Sequence, residues 1–218
     1  SVGDSLSAIV GIEKAVTLPI GMLLTAVLLL FLKKNNLFAA YGLCRAKAPA
    51  RLMLYYLPVL IMLSMNLWYG VNVNYGVPET LLYIFSMFCV GFLEEVIFRG
   101  LLFNAIRSDN LMSAVIVSSV TFGIGHIINL VNGSGAELLP NLLQVVYAAA
   151  AGFMFVMIYL RTDSLVICIA AHGVFNALSV FANEAALMPG DRILSRGLFT
   201  ALTGTYAVYL AVSGKKAC

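Results

Sequence analysis

Charged residues are scarce in this chain. Only 11% of its 218 residues are Asp, Glu, Lys or Arg, whereas 61% are hydrophobic, and the mean hydropathy is +0.97. This composition excludes an ordinary soluble globular domain. The formal net charge is only +3, and we expect the lipid bilayer, not a nucleic acid, to be the chain's main surroundings.

Patterned cysteines, internal repeats and polar linkers are also lacking. The four cysteines are dispersed and show no C-x-x-C spacing, so we assign them no chemistry (Cys44, Cys89, Cys168 and Cys218). No repeat of fixed period is visible, and no low-complexity segment divides the chain. The sequence therefore predicts a single integral membrane domain over residues 1–218.

Long apolar segments fill most of the chain. A transmembrane helix needs about 20 mostly apolar residues to cross about 30 Å of hydrocarbon. About seven segments qualify, at residues 15–32, 51–69, 79–103, 110–131, 138–160, 164–183 and 194–213. The fold class predicted is an all-α, polytopic transmembrane helical bundle. The alternative has eight elements, one of them a re-entrant or surface helix, for which the polar connection 33–50 is a candidate.

The positions of Lys and Arg predict the orientation of the bundle. Nine basic residues lie on one side of the predicted spans and three on the other, after Arg99 is set aside as part of a motif. Because basic residues concentrate in cytoplasmic loops, the N-terminus is predicted outside and the C-terminus in the cytoplasm. The first apolar segment is read as a retained span, because no small-residue cleavage site follows it.

Small residues in the predicted spans indicate close helix packing. The run of alanines and glycine at 148–152 permits neighbouring backbones to approach. Gly123 and Gly125 allow two interpretations. In the first, the helix is kinked or unusually close to a neighbour, which would help to admit a peptide backbone; in the second, the glycines serve ordinary tight packing.

Ionisable and polar side chains within the predicted spans are few. Adjacent Glu94 and Glu95 lie in an apolar stretch, and the only two histidines, His126 and His172, lie in two other spans. Burying such groups in a membrane costs at least about 2.5 kcal/mol each, so they mark a functional site. Counted along ideal helices, Glu94, His126 and His172 fall at similar depths.

Helical spacing assigns separate tasks to the two glutamates. Glu95 and Arg99 are four residues apart with the acid first, which is the favoured order for an ion pair. Glu94 has no such partner in its own helix, which suits a general acid or base. By the same spacing Phe122 shares a face with His126, and Asn176 shares a face with His172.

Two chemistries fit one glutamate and two histidines. In the first, Glu94 and His126 hold and deprotonate a water, while His172 and Asn176 donate hydrogen bonds to the oxyanion of a tetrahedral intermediate. In the second, Glu94, His126 and His172 bind a catalytic zinc ion. The first is favoured because Asn176 fits an oxyanion donor better than a metal ligand, so no cofactor and no metal are expected.

The three motifs resemble those of a known family. The chain reads Glu94-Glu95-x-x-x-Arg99, Phe122-x-x-x-His126 and His172-x-x-x-Asn176. It is similar to the CAAX protease and bacteriocin-processing (Abi) family, which includes the Ras-converting type II CAAX prenyl endopeptidases. The resemblance covers a motif core of about 79–183. It implies a glutamate-dependent intramembrane protease, with Glu94 activating water beside His126, His172 and Asn176 at the oxyanion, and Glu95, Arg99 and Phe122 in support.

The resemblance also implies a class of substrate and a location. Family substrates are membrane-associated peptides or proteins, of the prenylated CAAX type in one branch and of the pheromone or bacteriocin type in others. The short chain favours a prokaryotic plasma membrane. Two other functions are weighed: a non-catalytic scaffold or bacteriocin immunity protein, and a transporter or proton relay. The absence of an inverted repeat argues against transport.

Overall fold

Helices form almost all of the described structure, a computed structural model that covers residues 2–47, 56–130 and 137–213. In chain order the α-helices are α1 (Val2–Val10), α2 (Thr17–Lys34), α3 (Leu57–Ser64), α4 (Val77–Glu95), α5 (Asn104–Arg107), α6 (Leu111–Gly125), α7 (Leu138–Thr162), α8 (Leu165–Leu178) and α9 (Pro189–Val212). A π-helix, Val96–Phe103, joins α4 to α5. The predicted all-α class is confirmed.

Helices occupy all seven predicted apolar segments, within the residues that the structure describes. Four are long and apolar enough to cross a membrane: Thr17–Lys34, Val77–Arg107, Leu111–Leu130 and Leu138–Thr162. Two shorter apolar helices, Leu57–Leu67 and Leu165–Phe181, occupy the second and sixth segments, and residues 51–55 lie outside the described ranges. The last segment is α9, with Asp191, Arg192 and Arg196 in its first two turns. The count of seven spans stays a prediction.

The surface of the bundle is apolar, as a lipid-facing surface must be. Side chains such as Leu23 (64% exposed), Leu30 (65%) and Phe85 (57%) present large hydrophobic groups outward from α2 and α4. A hydrophobic surface of this kind would be costly in water and is stable in a bilayer. The chain is an integral membrane protein.

The helix boundaries follow from local sequence. Pro78 lies in the first turn of α4, where its missing N–H costs nothing. Asn110 caps α6 by accepting a hydrogen bond from the Ser113 N–H at 2.9 Å. At the end of α7, Asp163 takes a left-handed conformation (φ 51°) that stops the helix before α8.

Four helices, α4, α6, α7 and α8, surround the motif residues. α7 packs against α6 and α9, and α4 packs against α8 and α2. The predicted close packing at 148–152 is confirmed, since Ala148 and Ala151 are buried and a Cβ on Gly152 would lie 3.0 Å from the Ser119 backbone. Gly123 faces the Val145 carbonyl of α7. This shows a close approach of α6 to α7, which both interpretations of the glycine include.

Candidate active site

The two glutamates at the end of α4 differ in exposure. The Glu95 side chain is fully buried, whereas the Glu94 side chain is 31% exposed. Helical geometry turns adjacent side chains about 100° apart, so one can point into the bundle while the other borders an opening. Glu94 is the carboxylate that a water molecule and a substrate can reach.

Glu95 forms the predicted ion pair with Arg99. Arg99 Nη1 donates a hydrogen bond to Glu95 Oε1 at 2.9 Å, and both side chains are completely buried. The guanidinium carbon of Arg99 also lies 4.2 Å from the centroid of the Phe122 ring and 5.6 Å from that of Phe155. Such cation–π contacts stabilise a charge that the membrane interior would otherwise penalise.

Asn104 pairs with the main chain of the π-helix that carries Arg99. The Asn104 amide donates hydrogen bonds to the carbonyls of Arg99 (3.1 Å) and Gly100 (2.7 Å). It also lies 3.1 Å from the Tyr159 hydroxyl of α7. A π-helical stretch leaves main-chain carbonyls less well paired than an α-helix does and is often found at functional sites. Asn104 therefore stabilises the backbone beneath the ion pair.

His172 lies between the two glutamates. Its Nδ1 is 2.8 Å from Glu95 Oε1, and its Nε2 is 3.4 Å from Glu94 Oε2. The imidazole stacks on Phe155 of α7, with ring centroids 5.6 Å apart, and meets the edge of Phe122 at the same separation. Close contact between α4 and α8 makes this possible, because a Cβ on Gly91 would come within 2.8 Å of the Gly173 nitrogen.

His126 lies where α6 ends and borders the same Phe122 ring. Its ring centroid is 5.3 Å from that of Phe122, and its Nδ1 is 3.1 Å from the Phe122 carbonyl oxygen. Asn141 of α7, which is buried, donates a hydrogen bond to the His126 carbonyl at 2.8 Å. The two histidines thus contact one phenyl ring from two different helices.

The remaining motif residue, Asn176, lies one turn after His172 on α8 and is half-buried. Within the described ranges its side-chain amide makes no hydrogen bond, and no hydrogen bond or ion pair joins Glu94 to His126. The structure therefore brings six of the seven predicted residues into one connected cluster through direct contacts. Asn176 is placed beside that cluster by its helix alone.

The zinc alternative can be compared with this arrangement. Among the described residues, no group of three His, Cys, Asp or Glu side chains is placed to hold a metal ion. His172 already directs one ring nitrogen at Glu95, and His126 directs its Nδ1 at a main-chain carbonyl. Metal-bound histidines typically direct their other ring nitrogen at a carboxylate or a main-chain carbonyl in the same way, so these two contacts fit both chemistries. The metal-free chemistry is the one carried into the proposal below.

Three residues that contribute to the cluster escaped the sequence reasoning: Asn104, Asn141 and Phe155. A polar amide in an apolar segment marks Asn104 and Asn141 as candidates for interhelical hydrogen bonds. Their partners are main-chain carbonyls, however, which carry no signal in the sequence. Phe155 is one phenylalanine among thirteen in the chain, and nothing in its spacing distinguishes it.

Comparison with known proteins supports the resemblance that the motifs carry. Residues 76–178 match the family described as type II CAAX prenyl endopeptidase Rce1-like. The motif-bearing segment is similar to that family. This range includes Glu94, Glu95, Arg99 and both histidines, and it nearly coincides with the predicted motif core.

A relative from Bacillus subtilis (strain 168) gives a second match. It is named "Putative membrane peptidase YdiL" and is 37% identical over 89 residues, which are 40% of this chain. The matched part is 31% of that relative, so the chain spans about a third of its length. No solved structure shows a significant match.

Proposed function

We propose that this protein is a glutamate-dependent intramembrane endopeptidase that hydrolyses a membrane-associated peptide or protein. One observation carries the proposal: a partly exposed glutamate, Glu94, lies beside a histidine that a second, buried glutamate holds in place. The Rce1-like match over residues 76–178 and the peptidase name of the relative support the same reaction class.

In the proposed reaction, Glu94 removes a proton from a water molecule as its oxygen attacks the carbonyl carbon of the scissile peptide bond. His126, at the end of α6, is the second group assigned to this water. Hydrogen bonds from His172 and Asn176 stabilise the resulting oxyanion. The C–N bond then breaks, and the proton held by Glu94 passes to the leaving amine. General base catalysis of this kind contributes about 10²–10⁴-fold to a rate, and removing one oxyanion donor costs about 10²–10³-fold.

The exposure of the two glutamates supports this assignment. A general base has to reach a water that also contacts the substrate, and of the pair only Glu94 is exposed. Glu95 and Arg99, both fully buried, are suited to holding the helix and the histidine. We also propose that the N-terminus faces outward, the C-terminus faces the cytoplasm, and the membrane is a prokaryotic plasma membrane.

The experiment compares membrane-associated peptides from cells that produce the wild-type protein with those from cells that produce Glu94→Gln. Uncleaved precursors should accumulate in the variant, and their cleavage products should appear only with the wild type. Precursors with a prenylated cysteine would indicate a CAAX-type substrate, and unmodified ones a pheromone or bacteriocin type. Glu184→Gln, which changes an exposed carboxylate far along the chain, is the matched control.

Identical peptide sets from wild-type and Glu94→Gln cells would contradict the proposal. If deletion of the protein nevertheless changed the phenotype, the non-catalytic scaffold or immunity role would replace it.

A further inference from the structure

The ring of His172 contacts a different carboxylate through each of its nitrogens. Nδ1 is 2.8 Å from Glu95 Oε1, which is a hydrogen-bond distance, and Nε2 is 3.4 Å from Glu94 Oε2. A neutral imidazole has one N–H donor and one acceptor, whereas an imidazolium has two donors. The identity of the protonated nitrogen therefore decides what His172 can offer to Glu94 and to a substrate.

The surroundings of Glu95 identify that nitrogen. Glu95 Oε1 accepts a hydrogen bond from Arg99 Nη1 at 2.9 Å, and both side chains are fully buried. A buried carboxylate paired with arginine stays ionised, because neutralising it would leave the arginine charge unpaired. An ionised carboxylate only accepts hydrogen bonds. His172 Nδ1 must therefore be the donor, and it carries a proton.

Packing prevents the ring from exchanging its two nitrogens. Phe155 stacks on one face of the imidazole, with an interplanar angle of 21°, and Phe122 meets it edge-on at 89°. His172 is 7% exposed at its side chain. A ring flip would turn Nε2 toward Glu95 and require these phenylalanines to move.

We propose that Glu95 is a positioning residue that fixes His172 with its proton on Nδ1, so that Nε2 is the nitrogen directed at Glu94. The assignment of protons rests on geometry alone. Its catalytic consequence rests on the proposed peptidase function.

That consequence concerns the other nitrogen. With Nδ1 directed at Glu95, Nε2 faces the partly exposed Glu94, so Nε2 is the ring nitrogen that water, substrate or an oxyanion can contact. Three further titratable side chains lie near the pair in the described structure: Arg99 in the π-helix, His126 across the Phe122 ring, and Cys168 one turn before His172. Their positions do not change which nitrogen faces Glu95.

Nitrogen NMR of the purified protein tests the assignment directly. The chain has only two histidines, so ¹⁵N-histidine labelling gives two imidazoles, and a His126→Gln variant assigns them. In the wild type we expect Nδ1 of His172 in the protonated range. In Glu95→Leu the acceptor for Nδ1–H is absent, so the proton should no longer be confined to Nδ1, and the Nδ1 signal should move toward the unprotonated range. Glu184→Gln should leave both signals unchanged.

Activity gives a second readout. If the proposal and the peptidase function both hold, Glu95→Leu should lower kcat by about 10⁴-fold, the size of effect that loss of the correct histidine tautomer has in a catalytic triad. KM should change much less, because Glu95 is buried away from the substrate.

An unprotonated Nδ1 in the wild type would overturn the proposal, even if Glu95→Leu failed to fold. A folded Glu95→Leu protein with the wild-type tautomer would overturn it as well. Absence of peptide cleavage by the wild type would instead contradict the proposed function, while the NMR result would remain interpretable.

Discussion

At the scale of single residues, the site depends on an ion pair between two fully buried side chains inside an apolar bundle. Arg99 illustrates this, since its charge is balanced by Glu95 and covered by Phe122 and Phe155. The helical spacing of four residues predicted the Glu95–Arg99 pair from the sequence, and the structure confirms it. Spacing within one helix could not predict that His172, 77 positions later, would contact both glutamates.

Asn141 gives a prediction at this scale. Replacement by leucine keeps the size of the side chain but leaves the partly buried His126 carbonyl without this donor. An unsatisfied buried acceptor costs about 1–3 kcal/mol, so Asn141→Leu should lower the free energy of unfolding in detergent by that amount. Activity should fall as well, because the end of α6 that carries His126 loses its anchor on α7.

The control for Asn141 is Asn35→Ala. Asn35 also donates its amide to a main-chain carbonyl at a helix end, that of Phe31 at 2.7 Å, but this bond is exposed to the surroundings. Its loss should have little effect on stability. Equal effects of the two substitutions would show that the His126 contact has no special importance.

At the scale of helices, the close approach of α4 and α8 positions the glutamates against His172. The sequence predicted both helices because their apolar segments are long. It could not predict their separation, which depends on Gly91 and Gly173 meeting across the interface. The π-helix was also beyond prediction, because its cause is a side-chain amide, Asn104, that pairs with main-chain carbonyls.

Gly91→Ala tests the importance of this approach. The added Cβ would lie 2.8 Å from the Gly173 nitrogen, which is main chain and cannot move without shifting α8. Overpacking of this kind costs about 1–3 kcal/mol, and the glutamates should move away from His172. We expect lower thermal stability together with loss of cleavage.

Gly197→Ala is the matched helical control. Gly197 lies within α9 and has no atoms within 4 Å of the position that a Cβ would take. Because alanine favours a helix by about 1 kcal/mol over glycine, this variant should be as stable as the wild type or more so. If Gly91→Ala behaved like Gly197→Ala, the close approach would not be needed for the site.

At the scale of the whole molecule, the N-terminal segment is held against the start of α2 around an ion pair between Lys14, which is buried, and Asp4, which is partly exposed. Lys14 Nζ lies 2.6 Å from Asp4 Oδ1, and Thr17 also donates to that oxygen at 2.8 Å. Burial works against both charges, but the hydrogen bond and the opposite charge outweigh it. The pKa of Asp4 is therefore lowered below its ordinary value and the pKa of Lys14 is raised.

This pair predicts a pH window for the attachment of the segment. The contribution of Asp4 is present above its unfolded pKa of about 3.9 and is lost as the pH falls through the lower folded value. The contribution of Lys14 is present below about 10.4 and is lost as the pH rises through the higher folded value. Between these limits, Lys14→Met should increase amide hydrogen exchange in residues 2–16.

The effect of Lys14→Met is measured as amide hydrogen exchange at neutral pH. Lys33→Met is the control, because Lys33 is exposed near the end of α2. Unchanged exchange in Lys14→Met would mean that the ion pair does not hold the segment. The sequence analysis predicted neither α1 nor this pair. The pair forms because the chain turns back between residues 10 and 17, and that turn could not be predicted from the spacing of Asp4 and Lys14.

The central claim is that Glu94 activates the water that hydrolyses a peptide bond. It is tested most directly by cleavage in H₂¹⁸O with purified, detergent-solubilised protein and the precursor peptide identified in cells. The wild type should place one ¹⁸O atom in the new carboxyl terminus. Glu94→Gln, correctly folded, should be slower by about 10²–10⁴-fold, and Glu184→Gln should match the wild type. Cleavage by Glu94→Gln at the wild-type rate would contradict the account.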